Sequence, residues 1–276
     1  MDFSVVTPSF RNSKWLKACV ASVADQGVSV QHIVQDAGSD DGTLDWLLRE
    51  SRVQAFVEPD NGMYDAINRG FKKTTGAIIA HLNCDEQYLP GALQAVGNFF
   101  ASHPEIDLLF GDTVAVNSKG EYLFHRKALV PLEWHTRTCP LSTLTCATFF
   151  RRKLIDEHGL FFNDQYKIIG DGEWMSRALQ AKISMGVLRQ FTSVFALTGA
   201  NLSLGDRAER EWTRYLETAP RFLKIARPAI LLHHRLRRLI GGIYSQRPFS
   251  YSFYEPENPT QRIIHQVTRP TARWKW

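Results

Sequence analysis

Short apolar runs alternate with amphipathic segments along the first 116 residues. The run FSVVTP (3–8) is apolar and β-branched and ends near a proline, which is typical of a buried strand. The segment KWLKACVASVADQ (14–26) has apolar residues at helical spacing and is followed by Gly27, as at many helix C-termini. The same alternation predicts further strands at 30–38, 53–62, 77–83 and 107–116, and helices at 43–51, 64–74 and 90–104. Thr43 is expected to be the N-cap of its helix, and Pro90 is expected in the first turn of its helix.

Alternation of strand and helix predicts an α/β fold, with a mostly parallel, Rossmann-like sheet flanked by helices. Ligands of such sheets bind at the carboxyl ends of the strands. The polar residues that follow the strands are therefore the candidates for chemistry. They lie at 9–12, 36–43, 60–62 and 83–86.

The cluster DAGSDDGT (36–43) follows the second predicted strand and contains three carboxylates and two glycines. One interpretation is a plain turn, because Asp, Gly and Ser are turn residues. The other is a nucleotide contact, because a carboxylate at a strand end can accept hydrogen bonds from a base or a ribose. The segment matches neither the dinucleotide fingerprint GxGxxG nor the P-loop pattern GxxxxGK[ST].

The cluster DNGMYDAINRG (60–70) combines a turn at Asn61 and Gly62 with the start of a helix. Asp65 and Asn68 are three residues apart and share one face of that helix. Helix capping and support of a ligand pocket are both consistent with this spacing.

Two adjacent carboxylates, Asp85 and Glu86, end the apolar run of the fourth predicted strand. Adjacent carboxylates repel unless a positive charge lies beside them. A hard divalent cation with oxygen ligands, Mg²⁺ or Mn²⁺ on a phosphate, removes that repulsion. The alternative is a solvated loop with a helix cap.

A fourth polar cluster lies in YKIIGDGEWMSRALQ (166–180), where Asp171 and Glu173 precede a predicted helix. A carboxylate at a helix start caps the helix. If it faces a pocket, it also serves as a general base.

In order and spacing, these segments resemble glycosyltransferase family 2, in particular the bacterial members that build lipopolysaccharide, capsule and colanic-acid-type polysaccharides. The resemblance covers about residues 1–200 and rests on TPSFRN (7–12), DAGSDDGT, DNGMYDAINRG, LNCDEQYLPGAL (82–93) and FFRRKL with GDGEW (149–174). It implies a GT-A fold and inverting transfer of a sugar from a nucleotide-sugar donor to a hydroxyl of a glycan or lipid-linked acceptor.

The resemblance also implies roles for individual residues. The nucleotide would be bound or its pocket supported by Pro8, Phe10, Arg11, Asp36, Asp60, Asn61, Asp65, Asn68 and Asn83, with Asp36 on the base and Asn83 on the ribose. Asp85 would be the main ligand of a Mn²⁺ or Mg²⁺ ion that bridges the donor phosphates, with Glu86 as a second carboxylate. Asp171 would be the catalytic base, with Glu173 as the alternative.

Two positions depart from the family pattern. Asn83 stands where the DxD motif has its first aspartate, and the segment around Asp171 lacks the common Glu-Asp pair. Two other functions therefore stay open: a catalytically degenerate nucleotide-sugar-binding or assembly subunit, and a nucleotidyltransferase on a related fold. The donor base, the sugar, the acceptor and the oligomeric state are also open. His125, Trp134, His135 and Thr148 are candidates for the acceptor side.

The composition is that of a globular chain, with 276 residues, 44% hydrophobic and 22% charged. We expect a catalytic domain at 1–215, with a nucleotide-binding half at about 1–116 and an acceptor half at about 117–215. A basic helical extension and tail would follow at 216–276. Four cysteines without CxxC spacing predict reduced thiols, and neither a signal peptide nor an apolar run of ~18 residues is seen, so we expect a cytoplasmic location.

The C-terminal segment carries most of the net charge of +5, because residues 218–254 contain no Asp or Glu. Residues 228–244 mix apolar residues with Arg and His, which predicts an interfacial helix on anionic lipid. A helix packed on the domain with a solvated basic face is the alternative. Nucleic acid is disfavoured because no binding motif accompanies the charge. The expected location is therefore peripheral, on the inner face of a bacterial membrane. Residues 255–276 are expected either to be partly disordered or to pack back onto the body.

Overall fold

The computed structural model describes residues 2–139, 141–199 and 206–273, with only the backbone of 206 and 207. Its strands are β1 (Phe3–Ser9), β2 (Val30–Asp36), β3 (Gln54–Val57), β4 (Ile78–His81), β5 (Glu86–Tyr88), β6 (Leu108–Asn117), β7 (Tyr122–Arg126), β8 (Thr148–Arg151), β9 (Met185–Leu197), β10 (Phe249–Tyr254) and β11 (Arg262–Val267). Its α-helices are α1 (Ser13–Ala24), α2 (Thr43–Leu47), α3 (Met63–Phe71), α4 (Ala92–Ser102), α5 (Glu133–Thr136), α6 (Lys153–Asp156), α7 (Gly170–Gln180), α8 (Asp206–Glu217) and α9 (Arg221–Ile240), and a 3₁₀ turn covers Thr145–Ala147.

One large sheet forms the centre of the described chain. Its strand order is β3-β2-β1-β4-β8-β6-β9-β5, with β7 paired to β6. The first four strands in this order are mutually parallel, as the alternation predicted. Beyond β4 the sheet is mixed, because β8 runs antiparallel to both β4 and β6. The predicted α/β fold, a largely parallel sheet flanked by helices, is confirmed, and its regular parallel part is the N-terminal half.

In the first 116 residues, the differences from the predicted elements are confined to their ends and to one short strand. Helix α2 begins at Thr43, but its N-cap is Gly42, and the Asp41 carboxylate accepts the Thr43 hydroxyl at 2.5 Å. Helix α4 begins at Ala92, two residues after Pro90. Strand β5 was not predicted, because it has three residues and its partner β9 comes a hundred residues later, with Glu86 opposite Phe195.

Helix α3 lies very close to β1. A Cβ on Gly70 would approach Val6 Cγ1 to 2.3 Å, so only glycine permits this contact. Tyr64 at the other end of the helix stacks on Phe162 with ring centroids 4.9 Å apart, and Phe162 stacks on Trp174 at 5.6 Å. Such pairs contribute about 0.5–1.5 kcal/mol each beyond their burial. Helix α3 therefore joins the parallel half of the sheet to the segment that leads into α7.

The C-terminal residues pack back onto the body, which was one of the two alternatives for the tail. Strands β10 and β11 form an antiparallel hairpin, and Tyr251 and Phe253 are buried in a cluster with Val114 and Val194 of the main sheet. The predicted domain boundary at 215/216 falls within α8. In the part of the chain that the structure describes, no helix combines the length and the apolar character needed to span a bilayer.

Candidate active site

A large cleft opens at the carboxyl ends of the parallel strands. Its volume is about 1220 Å³. One side, which we call the N-terminal wall, consists of residues at the end of β1 and in the loops after β1, β3 and β4: Pro8, Phe10, Arg11, Asp60, Asn83 and Asp85. The other, which we call the C-terminal wall, is formed by Arg126, Leu141, Thr143, Leu144, Thr145, Asp171 and Trp212. The loops predicted to carry the chemistry therefore share one cavity with a more distant part of the chain.

An exposed aromatic ring and a constrained arginine begin the N-terminal wall. The Phe10 side chain is 52% exposed, and the Arg11 guanidinium lies 4.8 Å from its ring centre. Arg11 has a left-handed backbone (φ 51), and its amide donates to Ser39 Oγ at 2.8 Å. Its side chain pairs with Asp40 at 2.6 Å. The loop after β1 is thus pinned to the loop after β2, and the Phe10 ring is presented to the cleft.

The carboxylate of Asp36 is turned into its own loop. It accepts hydrogen bonds from the amides of Gly38 and Ser39 at 2.9 and 2.7 Å and from the Ser39 hydroxyl at 2.8 Å. Asp36 is fully buried, and its neighbour Ala37 lines the cleft in its place. The structure therefore gives Asp36 a role in shaping the loop after β2 and does not bring it to the cleft surface.

The residues of the predicted cluster at 60–70 have two roles, because some line the cleft and others hold the turn beside it. Asp60 lines the cleft and accepts the Gly62 amide at 2.8 Å, which holds the turn. Asp65 accepts the Asn61 amide at 2.9 Å and pairs with Arg69 at 2.9 Å. Asn61 itself is exposed and lies outside the cleft lining.

Asn68 binds the backbone of Phe162 at both ends of its amide group. Its Nδ2 donates to the Phe162 carbonyl at 2.8 Å, and its Oδ1 accepts the Phe162 amide at 2.8 Å. Asn68 does not touch the cleft. It ties α3 to the chain segment that leads to the C-terminal wall.

Asp85 is the carboxylate that β4 delivers to the cleft. Loss of solvent raises the pKa of Asp85 to about 6, and no Lys or Arg of the described residues offsets this shift. Beside it, Asn83 Oδ1 is buried without a hydrogen-bond donor in the described residues. The Cys84 thiol accepts a hydrogen bond from Asn12 at 3.2 Å. The wall thus presents oxygen atoms that need a positive or donating partner.

Glu86 is placed differently from its neighbour. It belongs to β5, is 1% exposed, and lies outside the cleft lining. Burial, and then the charge of Asp85, raise the pKa of Glu86 to about 8, and its Oε2 accepts the Asn83 amide at 2.8 Å. Because Glu86 does not line the cleft, the expected second carboxylate is not at the cleft surface, and Glu86 supports the turn that presents Asp85.

The side chains of the described residues fit one of two common kinds of divalent-cation site. No three His, Cys, Asp or Glu side chains come together among them to form a metal site of their own. Mg²⁺ and similar ions, however, commonly use one or two carboxylates together with substrate phosphates. Asp85, a desolvated carboxylate without a cationic partner in a cleft of this size, fits that second type of site.

Asp171 is the carboxylate of the C-terminal wall. It is the second residue of α7, and loss of solvent raises the pKa of Asp171 to about 6, while the positive charge of Arg126 acts in the opposite direction. Its Oδ1 accepts the Gly172 amide at 2.8 Å, and its own amide donates to the Tyr64 hydroxyl at 3.2 Å. The group is held in place by α3 and can accept a proton near neutral pH.

Glu173, the alternative base, is engaged elsewhere. It pairs with Arg177 one turn along α7 at 2.7 Å, and Arg177 also donates to the Phe161 carbonyl at 2.6 Å. Glu173 does not line the cleft. Between the two carboxylates of this motif, geometry favours Asp171.

Three residues near Asp171 were not foreseen. Arg126, at the end of β7, lines the cleft, and its Nη2 donates to the Leu141 carbonyl. Trp212 of α8 also lines it. Glu211 accepts the amides of Lys167, Ile168 and Ile169 at 3.1, 2.9 and 3.3 Å, just before α7. No spacing pattern links these residues, because they come from separate segments.

The residues suggested for the acceptor side lie elsewhere. His125 is buried and bonded to the Tyr122 hydroxyl at 2.9 Å, and Thr148 starts β8. Trp134 and His135 pack against His233 of α9, with ring centres 4.9 and 5.1 Å away. None of the four lines the large cleft. His125, Trp134 and His135 make packing contacts, whereas Thr148 lines a small cavity together with Asp171.

Fold and site together define an α/β domain with a carboxylate-lined cleft at the carboxyl ends of its parallel strands. The family model described as "Glycosyl transferase family 2" matches residues 4–159, which is more than half of the chain. The protein therefore belongs to glycosyl transferase family 2, and the resemblance inferred from its motifs is confirmed.

Curated relatives are also named as glycosyltransferases. The chain is 29% identical over 185 residues to a "PGL/p-HBAD biosynthesis glycosyltransferase" of Mycobacterium bovis, covering 63% of this chain and 68% of the relative. An uncharacterised glycosyltransferase of Nostoc is 24% identical over 189 residues, covering 62% of this chain and 58% of the relative.

Solved structures show the same GT-A fold. S. aureus TarS 1–349 in complex with UDP-GlcNAc aligns with a TM-score of 0.63 at 18% identity, over 87% of this chain and 73% of that fragment. For a longer TarS chain the covered share is 44%. The mannosyltransferase PcManGT from Pyrobaculum calidifontis, in complex with GDP-Man and Mn²⁺, aligns with a TM-score of 0.55 at 13% identity, over 85% of this chain and 75% of that one.

Proposed function

We propose that this glycosyltransferase is metal-dependent and inverting, and that it moves a sugar from a nucleotide-sugar donor to a hydroxyl of a glycan or lipid-linked acceptor. The observation that carries the proposal is a single cleft lined by both Asp85 and Asp171, each with its pKa raised to about 6. One carboxylate follows a parallel strand where nucleotides bind, and the other begins a helix of the second half.

The N-terminal wall would hold the donor. The exposed Phe10 ring offers a stacking surface for the base, with Arg11 and Asp60 beside it. The buried Asn83 Oδ1 would accept a ribose hydroxyl. Asp36 would act through the shape of its loop, with Asn61, Asp65 and Asn68 supporting the neighbouring turn.

Asp85 would ligate a Mn²⁺ or Mg²⁺ ion, which when bound supplies positive charge to the donor phosphates. PcManGT, which shares the fold, was solved with GDP-Man and Mn²⁺. Glu86 accepts the Asn83 amide and so fixes the turn that holds Asp85. Asp85 would therefore hold the ion at a defined position in the cleft.

Asp171 would remove the proton of the acceptor hydroxyl. The hydroxyl oxygen then attacks the anomeric carbon, the bond from that carbon to the phosphate oxygen breaks, and the nucleoside diphosphate leaves with the electron pair. A single displacement inverts the configuration at this carbon. Arg126, close enough to influence Asp171, favours its ionised form before the proton is taken.

The biological setting we propose is bacterial surface polysaccharide or glycolipid synthesis, such as lipopolysaccharide or capsule. Support comes from the designation of the mycobacterial relatives as biosynthesis glycosyltransferases and from the UDP-GlcNAc bound to TarS. We place the reaction on the cytoplasmic side, because the four cysteines are free thiols, as in a reducing compartment.

The test combines donor binding with turnover. Calorimetry with UDP-, GDP- and dTDP-sugars, with and without Mn²⁺, is run on the wild type, Asp85→Asn and Asp171→Asn. Donor hydrolysis and transfer to membrane-extracted acceptors are measured in parallel. Asp156→Asn, at an exposed position on α6, is the matched control.

We expect one nucleotide to bind in a Mn²⁺-dependent manner, with binding weakened in Asp85→Asn and retained in Asp171→Asn. Turnover should fall by about 10²–10⁴-fold in Asp171→Asn, the usual contribution of a general base. Retained turnover in Asp171→Asn contradicts the base assignment. Donor binding without turnover in the wild type indicates the degenerate binding subunit.

A further inference from the structure

Helix α9 is packed on one side only. Leu223, Ile230, His234 and Arg238 face the body and are buried. On this side His233 lies 3.0 Å from His135 Nε2 of α5, which anchors the helix. The position of α9 on the domain is therefore defined by its inner contacts.

The opposite side is apolar and open to solvent. Six large apolar side chains are exposed, from 47% at Leu236 to 84% at Ile240. They follow helical spacing and form one stripe along the helix, which we call the outer face: Phe222, Ile225, Leu232, Leu236, Leu239 and Ile240. Of the thirteen exposed large hydrophobic residues in the described chain, this one helix holds six.

Positive charge borders the outer face. On a helical projection, Arg221, Lys224 and Arg235 lie along one edge of the stripe, and all three are exposed. Arg237, half-buried, lies beyond the other edge. No Asp or Glu occurs between residues 218 and 254, so no acidic side chain of this segment neutralises the border.

We propose that the outer face of α9 docks on an anionic lipid bilayer. The helix would lie in the plane of the interface, with its apolar stripe at the boundary of headgroups and acyl chains and its border cations on lipid phosphates. Apolar residues on one face and Lys or Arg beside them define this mode of binding. A protein partner with an apolar groove would explain the apolar stripe, but it would not explain why the charges beside the stripe are all positive.

The structure changes what the sequence predicted for this segment. The interfacial segment is predicted to begin at residue 228, whereas the outer face already begins at Phe222, near the start of α9. His234 and Arg238 belong to the predicted interfacial segment, but both are buried against the body. The docking surface is therefore narrower and longer than the charge pattern indicated. It does not depend on the proposed reaction.

Flotation with lipid vesicles tests the proposal on the full chain. Vesicles are pure phosphatidylcholine, or phosphatidylcholine with ~30% phosphatidylglycerol, at low and high salt. The outer-face variant is Ile225→Gln/Leu232→Gln/Leu239→Gln. Its matched control, Leu48→Gln/Val57→Gln/Ile264→Gln, removes exposed apolar side chains elsewhere.

A charge variant, Arg221→Gln/Lys224→Gln, separates electrostatic from apolar binding. Its control is Arg49→Gln/Lys119→Gln, two exposed cations remote in sequence from α9. Thermal unfolding of every variant shows whether the fold is kept, which we expect because the altered side chains are exposed.

We expect the wild type to float with anionic vesicles and weakly with neutral ones. The outer-face variant should bind at least ~10-fold less and the charge variant several-fold less, with both controls like the wild type. The proposal is overturned if anionic vesicles do not bind the wild type, or if the folded outer-face variant binds equally well. It is also overturned if the face instead mediates self-association, seen in sedimentation as a dimer that the same variant abolishes.

Discussion

The two walls of the cleft are built in different ways. In the N-terminal wall, Phe10, Asp60 and Asp85 each follow a strand of one parallel sheet, and consecutive strand–helix units deliver them. The C-terminal wall draws Arg126 from β7, Asp171 from α7 and Trp212 from α8. The N-terminal wall thus follows from a strand–helix unit that repeats along the sequence. The C-terminal wall depends on how segments distant in sequence pack together.

Helix α3 connects the walls. Tyr64 donates to the Ile168 carbonyl at 2.9 Å and accepts the Asp171 amide, while Asn68 holds Phe162. Lys167 Nζ donates to the Asn61 carbonyl at 2.5 Å. The location of the proposed base is therefore set by a helix of the N-terminal half.

The largest expected effect is a fall in the transfer rate at low pH, caused by protonation of Asp171 in the C-terminal wall. Because the pKa of Asp171 is raised to about 6, the base becomes protonated below that pH. With donor and metal saturating, which keeps Asp85 ionised, transfer should fall about tenfold for each pH unit below 6. The kcat/KM for acceptor against pH measures this. A rate that stays flat down to pH 5 would remove Asp171 from the base role.

The same shift affects stability with the opposite sign. The folded pKa of Asp171 lies above its ordinary value of 3.8, so its contribution to stability is complete below about pH 4 and is lost as pH rises through about 6. Asp171→Asn should lose this part of the pH dependence, as measured by urea unfolding at pH 4 and pH 7.

The next effect tests the connection between the walls. Asn68→Ala removes two hydrogen bonds to the Phe162 backbone and leaves those backbone groups without their partner. We expect a loss of about 2 kcal/mol in the free energy of unfolding. Urea denaturation measures it, with Asn98→Ala on the exposed side of α4 as the control. A loss no greater than that of the control would mean that α3 does not hold the C-terminal wall.

A smaller effect is expected from Glu211, which supports the C-terminal wall alone. Glu211→Gln weakens the acceptance of three backbone amides before α7. We expect kcat to fall about tenfold, equivalent to about 1.4 kcal/mol, with donor affinity unchanged. Steady-state kinetics and donor calorimetry check both. Glu217→Gln, at the end of the same helix, is the control, and equal kcat in the two variants would refute the role.

The smallest effect concerns the N-terminal wall. The Arg11–Asp40 pair is well exposed, with side chains 55% and 65% accessible, so its loss should cost less than about 1 kcal/mol of stability. Arg11→Asn keeps a residue type that tolerates the left-handed backbone. We expect this variant to weaken donor binding and Asp40→Asn to leave it nearly unchanged. Equal weakening in both would show that the pair acts only by holding the loop.

Neighbouring residues show how far sequence reasoning reached. Asp85 was assigned because it follows an apolar strand, and it lies in the cleft. Glu86, adjacent in sequence, was expected beside it, but it enters β5 and is buried. Nothing local distinguishes the two, because β5 exists only by pairing with β9.

The sequence by itself determined the strand–helix order of the first half, the carboxyl-end loops that line the cleft, and the family. Those features follow from hydrophobic periodicity and short motifs, which are local along the chain. Only the tertiary structure decided that Asp171 and not Glu173 faces the cleft, that Asp36 shapes a loop, and that α9 turns its apolar stripe to solvent. Each of these depends on which face of an element meets a partner far away in sequence, and a local pattern does not specify that partner.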